Sequence, residues 1–272
     1  MKNNDSGVMI MFEVYEYREQ NISLFITSKL KALPTLFHKH MEFIYVLDGE
    51  FTTNIDGIEK TMKKGDLAVT FPFIMHTSKE SDAAFMLLLF DPQICGGFYD
   101  RITKNKPMNP FIMSQEQSDS LSALLHLMLL KMNDTSEYHT EIITAYINAL
   151  VGETLACLKL KQTDYTSLTT AQRILFYCTN NYKNNITLNT LADHLFLSKT
   201  HITHTFKLKI GISLRNYINS LRIHNAMNLL RHTELNITEI MYECGYTNQS
   251  TFNRAFFALC GMTPREYRKK TR

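Results

Sequence analysis

The sequence is poor in the features that mark disulfide-rich, zinc-binding and membrane-spanning proteins. Its five cysteines occur singly and form no CxxC pair: Cys95, Cys157, Cys178, Cys244 and Cys260. This spacing argues against a disulfide framework or a cysteine zinc site, and the last four are expected to pack as small core side chains in helices. No segment approaches about 18 consecutive apolar residues, and acidic Asp5 lies where a signal peptide would be basic. We therefore expect a cytoplasmic protein without a membrane segment.

Acidic residues are scarce in the C-terminal part of the chain. Residues 165–272 hold 14 Lys and Arg against 5 Asp and Glu, a net charge of +9, whereas residues 1–164 hold 15 against 21, a net charge of −6. This asymmetry is typical of a DNA-binding module joined to a module of another kind. The length of 272 residues indicates about two domains. No P-loop, dinucleotide fingerprint or catalytic triad is present, so we expect no enzyme.

Two C-terminal segments repeat one pattern, a short amphipathic helix, a tight turn and a second helix with few carboxylates. The first segment runs from Ile186 to Gly211 and the second from Ile237 to Gly261. Thr187 and Thr238 are expected to cap the opening helix of each pair. The pattern predicts two helix-turn-helix units, whose second helices are of the kind that enters a DNA major groove.

A long helix is predicted between these units, over Leu214 to Arg231. Such a helix would hold the two recognition helices at a fixed separation, so that they enter successive major grooves roughly 34 Å apart. One chain would then cover a bipartite site, and a dimer would cover two such sites.

The segment from about Ile174 to Arg268 resembles the DNA-binding domain of AraC/XylS-type transcription regulators. The match is one of order and spacing, and it is carried by Leu191-Ala192, Leu197-Ser198, Phe206-Lys207, Gly211, Tyr217, Leu221-Arg222, Ala226, Leu229-Leu230, Ile237, Ile240, Gly245-Tyr246, Phe252, Arg254, Phe256, Gly261, Thr263-Pro264 and Tyr267-Arg268. The resemblance implies a regulator that binds double-stranded DNA. Most members of the family activate transcription by contacting RNA polymerase, and some also repress.

The resemblance also assigns positions that face the DNA bases. In the first recognition helix they are Thr200, His201, Thr203 and His204, with Ile202 and Phe206 turned to the core. In the second they are Gln249, Ser250, Asn253 and Arg254. Gln249 or Asn253 could bind adenine, and Arg254 either guanine or a phosphate. Threonine and histidine discriminate bases modestly, so the second helix is expected to carry more of the specificity.

Phosphate contacts are expected from basic side chains and from backbone N–H groups at helix starts. The candidates are Lys199, Lys207, Lys209, Arg265, Arg268, Lys269 and Lys270. About six such contacts would make affinity fall steeply with salt. Gly245 and Gly261 are interpreted as turn residues that need a positive φ.

The N-terminal half, from about Val8 to Phe90, consists of short alternating strands. Turn signals lie at Asp48-Gly49, Asp56-Gly57 and Lys64-Gly65-Asp66, and the pattern predicts a closed or sandwich-like β structure. His38 to Gly49, followed by Gly65-Asp66, Pro72 and His76, resembles the two motifs of a cupin barrel. That resemblance fits the sensor domain common in this regulator family.

His38, His40, Glu42 and His76 permit several interpretations. On one strand residues 38, 40 and 42 would share a face, and three imidazoles with a carboxylate suit a divalent transition metal. However, metal-binding cupins space the glutamate three or four residues beyond the second histidine. We therefore predict no metal and no cofactor, but an effector pocket that also includes Tyr45. A barrel that serves only as scaffold is the alternative.

Helical periodicity follows the strands. Ser114-x-x-Gln117 predicts a capping box, and a break at Asn133-Asp134 divides two helices that could form a dimer interface. The predicted fold is multidomain α and β, and the domains are a cupin-like sensor barrel at 1–112, a helical hairpin at 113–161, a linker at 162–170 and a tandem helix-turn-helix domain at 171–272.

The function expected from the sequence is that of a DNA-binding transcription regulator, an activator controlled through its N-terminal domain. Its expected partners are double-stranded DNA, RNA polymerase, a second copy of the chain and, where an effector exists, a small molecule. One alternative is an effector-free regulator governed by a protein partner. Another is a metal-dependent cupin enzyme fused to a DNA-binding domain.

Overall fold

The computed structural model describes residues 10–11, 16–17, 21–30, 32–132, 134–164, 168–210 and 212–271. The chain divides into two compact units, Met1–Asp164 and Tyr165–Arg272. Of the sequence features singled out above, Asn133, Tyr165–Ser167 and Gly211 lie outside the described residues. Within the described ranges, no helix is both long enough and apolar enough to cross a membrane.

The first unit is built on antiparallel strands. Their bounds are β1 (Ile10–Met11), β2 (Glu16–Tyr17), β3 (Ile22–Thr27), β4 (Leu33–Leu36), β5 (Met41–Asp48), β6 (Glu50–Ile55), β7 (Ile58–Lys63), β8 (Leu67–Thr70), β9 (His76–Ser78), β10 (Ala84–Phe90), β11 (Asn105–Pro107), β12 (Phe111–Ile112) and β13 (Leu160–Gln162). One sheet has the order β12-β8-β5-β10-β3 and another the order β4-β9-β6-β7. Two short pairs, β1-β2 and β11-β13, complete the unit. Gln162 therefore belongs to a strand and not to the predicted linker.

The two larger sheets share one apolar core. Phe51 of β6 and Phe85 of β10 are both buried, and their ring centroids lie 5.0 Å apart. The predicted turns are confirmed, because Gly49, Gly57 and Gly65 have φ values of 79°, 83° and 89°. Backbone with positive φ gives a two-residue hairpin the twist that its flanking strands need.

A helical hairpin packs on the same core. The helices of this unit are α1 (Tyr99–Lys104), α2 (Asp119–Lys131) and α3 (His139–Cys157). Leu125 of α2 and Ile147 of α3 are fully buried within the cluster that contains the strands. The capping box predicted at Ser114 is wrong. The Ser114 N–H donates instead to the Asp66 carboxylate at 2.9 Å, and α2 begins after Ser118, whose hydroxyl accepts from the Leu121 N–H.

The second unit is helical. Its helices are α4 (Thr170–Asn181), α5 (Leu188–Leu195), α6 (Lys199–Thr205), α7 (Leu214–His232), α8 (Ile237–Glu243), α9 (Gln249–Cys260) and α10 (Pro264–Thr271). A π-helical turn, Phe206–Ile210, continues α6. We call α5 with α6 the first helix pair and α8 with α9 the second helix pair. The predicted long helix between the pairs is confirmed as α7.

One of the two predicted threonine caps is correct. Thr187 caps α5, since its hydroxyl accepts from the Thr190 N–H. Thr238 does not cap α8, because that helix begins earlier. The Asn236 side chain accepts from the Glu239 N–H, and the Glu239 carboxylate accepts from the Asn236 N–H at 2.7 Å. This reciprocal pair satisfies two backbone donors at once.

The predicted core cysteines divide into two groups. Cys178 and Cys244 are buried, as expected, whereas Cys157 and Cys260 are half-buried. All five cysteines are free thiols, and burial raises the pKa of the Cys95 thiol to about 12.

Gly245 occupies the turn between α8 and α9 with φ of 81°. A Cβ built on it would overlap the carbonyl group of Lys183. Gly261 ends α9 with φ of 66°, and a Cβ there would meet nothing within 4 Å. Both predicted positive φ values are confirmed, but only Gly245 also needs the absence of a side chain.

Gly245→Ala should therefore destabilise the second unit more than Gly261→Ala. Both substitutions force alanine into the left-handed region, at a cost of roughly 1–2 kcal/mol. The overlap with Lys183 should add about 1–3 kcal/mol at Gly245 alone. Urea unfolding of the full chain, followed by helical circular dichroism, measures the difference. Equal free energies of unfolding for the two variants would contradict the close approach.

Candidate functional site

The predicted base-contact side chains lie on exposed faces of α6 and α9. On α6 the exposed residues are Thr200, His201, Thr203 and His204. On α9 they are Gln249, Ser250, Asn253 and Arg254. The opposite faces are anchored in the core by Ile202 and Phe206 for the first pair and by Phe252 and Phe256 for the second. The apolar positions that face the core therefore leave the polar positions outward on both helices.

Local caps fix where each of these helices begins. Ser198 accepts from the His201 N–H at 3.1 Å at the start of α6. Asn248 accepts from the Thr251 N–H at 2.9 Å at the start of α9. On α6 the Thr203 hydroxyl donates to the Lys199 carbonyl at 2.9 Å, which leaves its methyl group and a lone pair for a partner.

Arg222 joins the two helix pairs through α7. Its Nε donates to the Tyr182 carbonyl at 2.7 Å and its Nη2 to the Asn184 carbonyl at 2.8 Å, in the loop that precedes α5. Its guanidinium also lies 5.1 Å from the ring centroid of Tyr246, in the turn before α9. The Tyr246 hydroxyl donates to Asn219 on α7 at 3.0 Å. Arg222 belongs to the motif matched in the sequence, but its joining role was not predicted.

The predicted phosphate contacts divide by exposure. The exposed ones are Lys199, Lys207, Arg265, Lys269 and Lys270. Arg268 is half-buried, and its Nη2 donates to the Leu235 carbonyl at 2.6 Å, so it ties α10 to the loop before α8. The side chain of Lys209 lies outside the described residues. Arg268 therefore has a structural partner that the sequence did not indicate.

The first unit holds a buried polar cluster formed by His38, Glu42 and His76, called here the histidine–glutamate cluster. His38 Nε2 lies 2.9 Å and His76 Nε2 lies 3.7 Å from the same oxygen, Glu42 Oε2. The two imidazole centroids are 4.9 Å apart. All three side chains are at most 8% exposed.

Backbone carbonyls orient both imidazole rings of the cluster. Nδ1 of His38 lies 3.0 Å from the His40 carbonyl, and Nδ1 of His76 lies 3.1 Å from the Ile74 carbonyl. Because a carbonyl only accepts, each Nδ1 carries a hydrogen and each Nε2 faces Glu42. In a neutral imidazole the Nε2 atom then carries no hydrogen, so Nε2 of His38 and the Glu42 carboxylate can both only accept. Their short contact therefore requires one further proton or a cation between them. Burial lowers the pKa of His76, although the Glu42 carboxylate acts in the opposite direction.

The same donor atoms could hold a metal ion, since they lie within 4.8 Å of one another. Two imidazole nitrogens and a carboxylate suit a divalent transition metal. A single proton also satisfies the His38–Glu42 contact, so the geometry fits both an ion pair and a cation site.

His40 and Tyr45, the other two residues predicted for the pocket, are not among the side chains that converge on Glu42. Strand β5 begins only at Met41, so the alternation of faces does not extend back to residues 38–40. The His40 ring centroid lies 6.0 Å from that of His38, and the His40 imidazole also lies near Asp91, whose pKa it helps to lower. Tyr45 is three residues beyond Glu42, so it lies on the other face of β5, where its ring centroid is 6.4 Å from that of His126 on α2.

A buried ion pair holds the segment that contains His38. Lys39 Nζ lies 2.6 Å from Asp91 Oδ2, and both side chains are about 5% exposed. Burial alone would raise the pKa of Asp91, but Lys39, His40 and two hydrogen bonds lower it to about 2. Lys39 thus fixes the bend that brings His38 to Glu42.

Two family models match parts of the chain. A helix-turn-helix domain family matches residues 191–270, and a cupin domain family matches residues 30–90. These matches cover both recognition helices and the whole histidine–glutamate cluster. The chain is therefore a DNA-binding protein that also carries a cupin domain.

The relatives are transcription regulators. YfiF, a helix-turn-helix-type transcriptional regulator of Bacillus subtilis strain 168, is 24% identical over 248 residues, which cover 86% of this chain and 79% of YfiF. The activator RhaS of Escherichia coli O1:K1 is 29% identical over 96 residues, which cover 35% of this chain and 34% of RhaS, about a third of that protein. The C-terminal domain of AraT, a response regulator of Geobacillus stearothermophilus, aligns with 38% of this chain and 88% of that domain at 30% identity, with a TM-score of 0.37. The chain is therefore similar to helix-turn-helix-type transcription regulators over most of its length.

Asp91→Asn should destabilise the first unit at neutral pH by about 3–5 kcal/mol, because it leaves the Lys39 ammonium buried without a counter-charge. The matched control is Asp100→Asn, which breaks an exposed pair with Lys104 and should cost less than about 1 kcal/mol. The folded pKa of Asp91, about 2, lies below its ordinary value of 3.8. Its contribution is therefore complete above pH 3.8 and is lost as the pH falls toward 2. Urea unfolding of the wild type and of Asp91→Asn across this pH range measures that contribution. A constant difference between their free energies of unfolding would contradict the ion pair.

Proposed function

We propose that one copy of this regulator reads a bipartite DNA element, with α6 and α9 in successive major grooves. The observation that carries the proposal is the pairing of two exposed polar helix faces with one connecting helix, α7. Arg222 contacts the loop before the first helix pair and the turn within the second, which supports a fixed separation. A fixed separation makes the spacing of the two DNA elements part of what is recognised.

Of the two halves of the proposed DNA element, the half read by α9 is the better specified. Arg254 and Asn253 on α9 are exposed. The guanidinium of Arg254 offers two donors for guanine, and the amide of Asn253 offers one donor and one acceptor for adenine. The first helix offers His201 and His204 with threonines between them, which supports weaker discrimination. Lys199, Lys207 and the cations of α10 are proposed to bind phosphates and to position the protein.

Arg254→Ala should weaken binding to the selected element by about 1–3 kcal/mol and relax base preference at one position. His204→Ala should relax base preference in the half of the element read by α6, and by a smaller amount. The matched control is Arg265→Ala, which should weaken binding to all sequences alike and lower the salt slope by about 1. Selection of genome fragments with full-length protein, followed by sequencing, yields the motif for each variant. An unchanged motif and affinity for Arg254→Ala would contradict readout by α9.

We also propose that the cupin unit controls DNA binding in response to a small molecule, and that the regulator activates by contacting RNA polymerase. A buried polar cluster in an apolar core is costly unless its groups are paired, and such clusters are often functional. The histidine–glutamate cluster supports a ligand with polar groups more than it supports an inert scaffold. Because a transcription regulator acts on DNA inside the cell, we propose that this protein is located in the cytoplasm.

Dimerisation is proposed through α2, whose Leu130 is 77% exposed. Leu130→Glu should raise the dimer dissociation constant at least about tenfold, because a carboxylate would be desolvated at the interface. Leu208→Glu, at a leucine 54% exposed in the second unit, is the matched control and should leave the dimer intact. Size-exclusion chromatography with light scattering gives the mass of each. A wild-type chain that stays monomeric at high concentration would contradict the proposed dimer.

A further inference from the structure

The second unit contains a groove of about 1140 Å³ whose walls come from both helix pairs and from the first half of α7. Thr203 of α6 and Thr251 of α9 both line it. Each threonine is on a recognition helix, so the groove occupies the surface between the two proposed major-groove contacts.

The groove is strongly basic. Lys183, Lys207, Arg215 and Arg222 line it, and no Asp or Glu does among the residues that the structure describes. Of these four, Arg222 already donates to the Tyr182 and Asn184 carbonyls. Lys183, Lys207 and Arg215 are exposed, and none of them pairs with a described carboxylate. Three cations with this arrangement create a positive surface that fits a polyanion.

The backbone adds to this field. Ser213 caps α7, a helix of 19 residues, and both Ser213 and Arg215 line the groove. Asn248, the cap of α9, lines it as well. Helix N-termini carry partial positive charge and unsatisfied N–H groups, so they reinforce the attraction of the side chains for phosphates.

We propose that this groove binds the sugar–phosphate backbone of the DNA between the two major-groove elements, with Lys183 and Arg215 as phosphate contacts. The inference rests on the proposed function, because a duplex that receives α6 and α9 in successive grooves must pass its intervening strand across this surface. Lys207, already a phosphate candidate, lies in the same groove. The contacts carry no base information, but they bind the part of the operator that neither recognition helix reaches.

The test uses full-length protein and an operator duplex obtained by the fragment selection. Lys183→Gln and Arg215→Gln are combined, and Lys60→Gln with Lys64→Gln removes the same charge from exposed sites of the first unit as the control. Fluorescence anisotropy at several salt concentrations measures affinity and salt slope. Ethylation interference maps which phosphates are needed, and circular dichroism checks that each variant is folded.

The groove variant should lower the salt slope by about 2 and weaken binding by about tenfold or more. It should also lose interference at phosphates between the two elements while keeping interference at their flanks, and the control should match the wild type. If the groove variant kept the salt slope and the ethylation-interference map of the wild type, this inference would be overturned. The proposed recognition of a bipartite DNA element would still stand. If the double variant does not fold, Lys183→Gln and Arg215→Gln are each tested alone, with half the change in slope expected. A wild type that selects no element would overturn the proposed function and this inference together.

Discussion

Arg222 determines how the two helix pairs of the DNA-binding unit are held. One guanidinium donates to two carbonyls before α5 and lies over the Tyr246 ring before α9, while its own backbone is part of α7. A planar cation with donors in its plane and an attractive face can make both kinds of contact, which a lysine could not reproduce. Together with the hydrogen bond from the Tyr246 hydroxyl to Asn219, this side chain helps to hold α6 and α9 at a fixed separation.

The cupin unit depends on a different constraint, the pairing of buried charge. Lys39 and Asp91 hold the chain at the point where it turns into β5, and that bend places His38 beside Glu42. Backbone carbonyls then fix both imidazole tautomers. The result is a polar centre of well-defined geometry next to the apolar core. An effector that contacts this centre would therefore alter a few well-defined hydrogen bonds.

Features set by short-range rules could be predicted from the sequence. Gly245, Gly261 and the Thr187 cap follow from local spacing, and each was found as expected. The outward positions of α9 were implied by the family resemblance, and those residues are exposed. The failures have physical causes. Asn236 replaces Thr238 as the cap because it pairs reciprocally with Glu239, and Ser114 is drawn to Asp66, 48 residues away. His40 was expected to share a face with His38 and Glu42, because the sequence alone does not show that β5 begins only at Met41. The basic groove was missed because Lys183 and Arg215 come together only through the fold.

The ion pairs between described side chains all belong to the cupin unit, although the DNA-binding unit carries the excess of cations. Without DNA, those cations repel one another across a small fold, which favours expansion. Dissolved salt screens this repulsion and should make the free unit harder to unfold. The same salt competes with DNA for the cationic surface. A higher ionic strength should therefore stabilise the fold of this unit and weaken its affinity for DNA. In the complex, the DNA phosphates balance the excess positive charge of the unit.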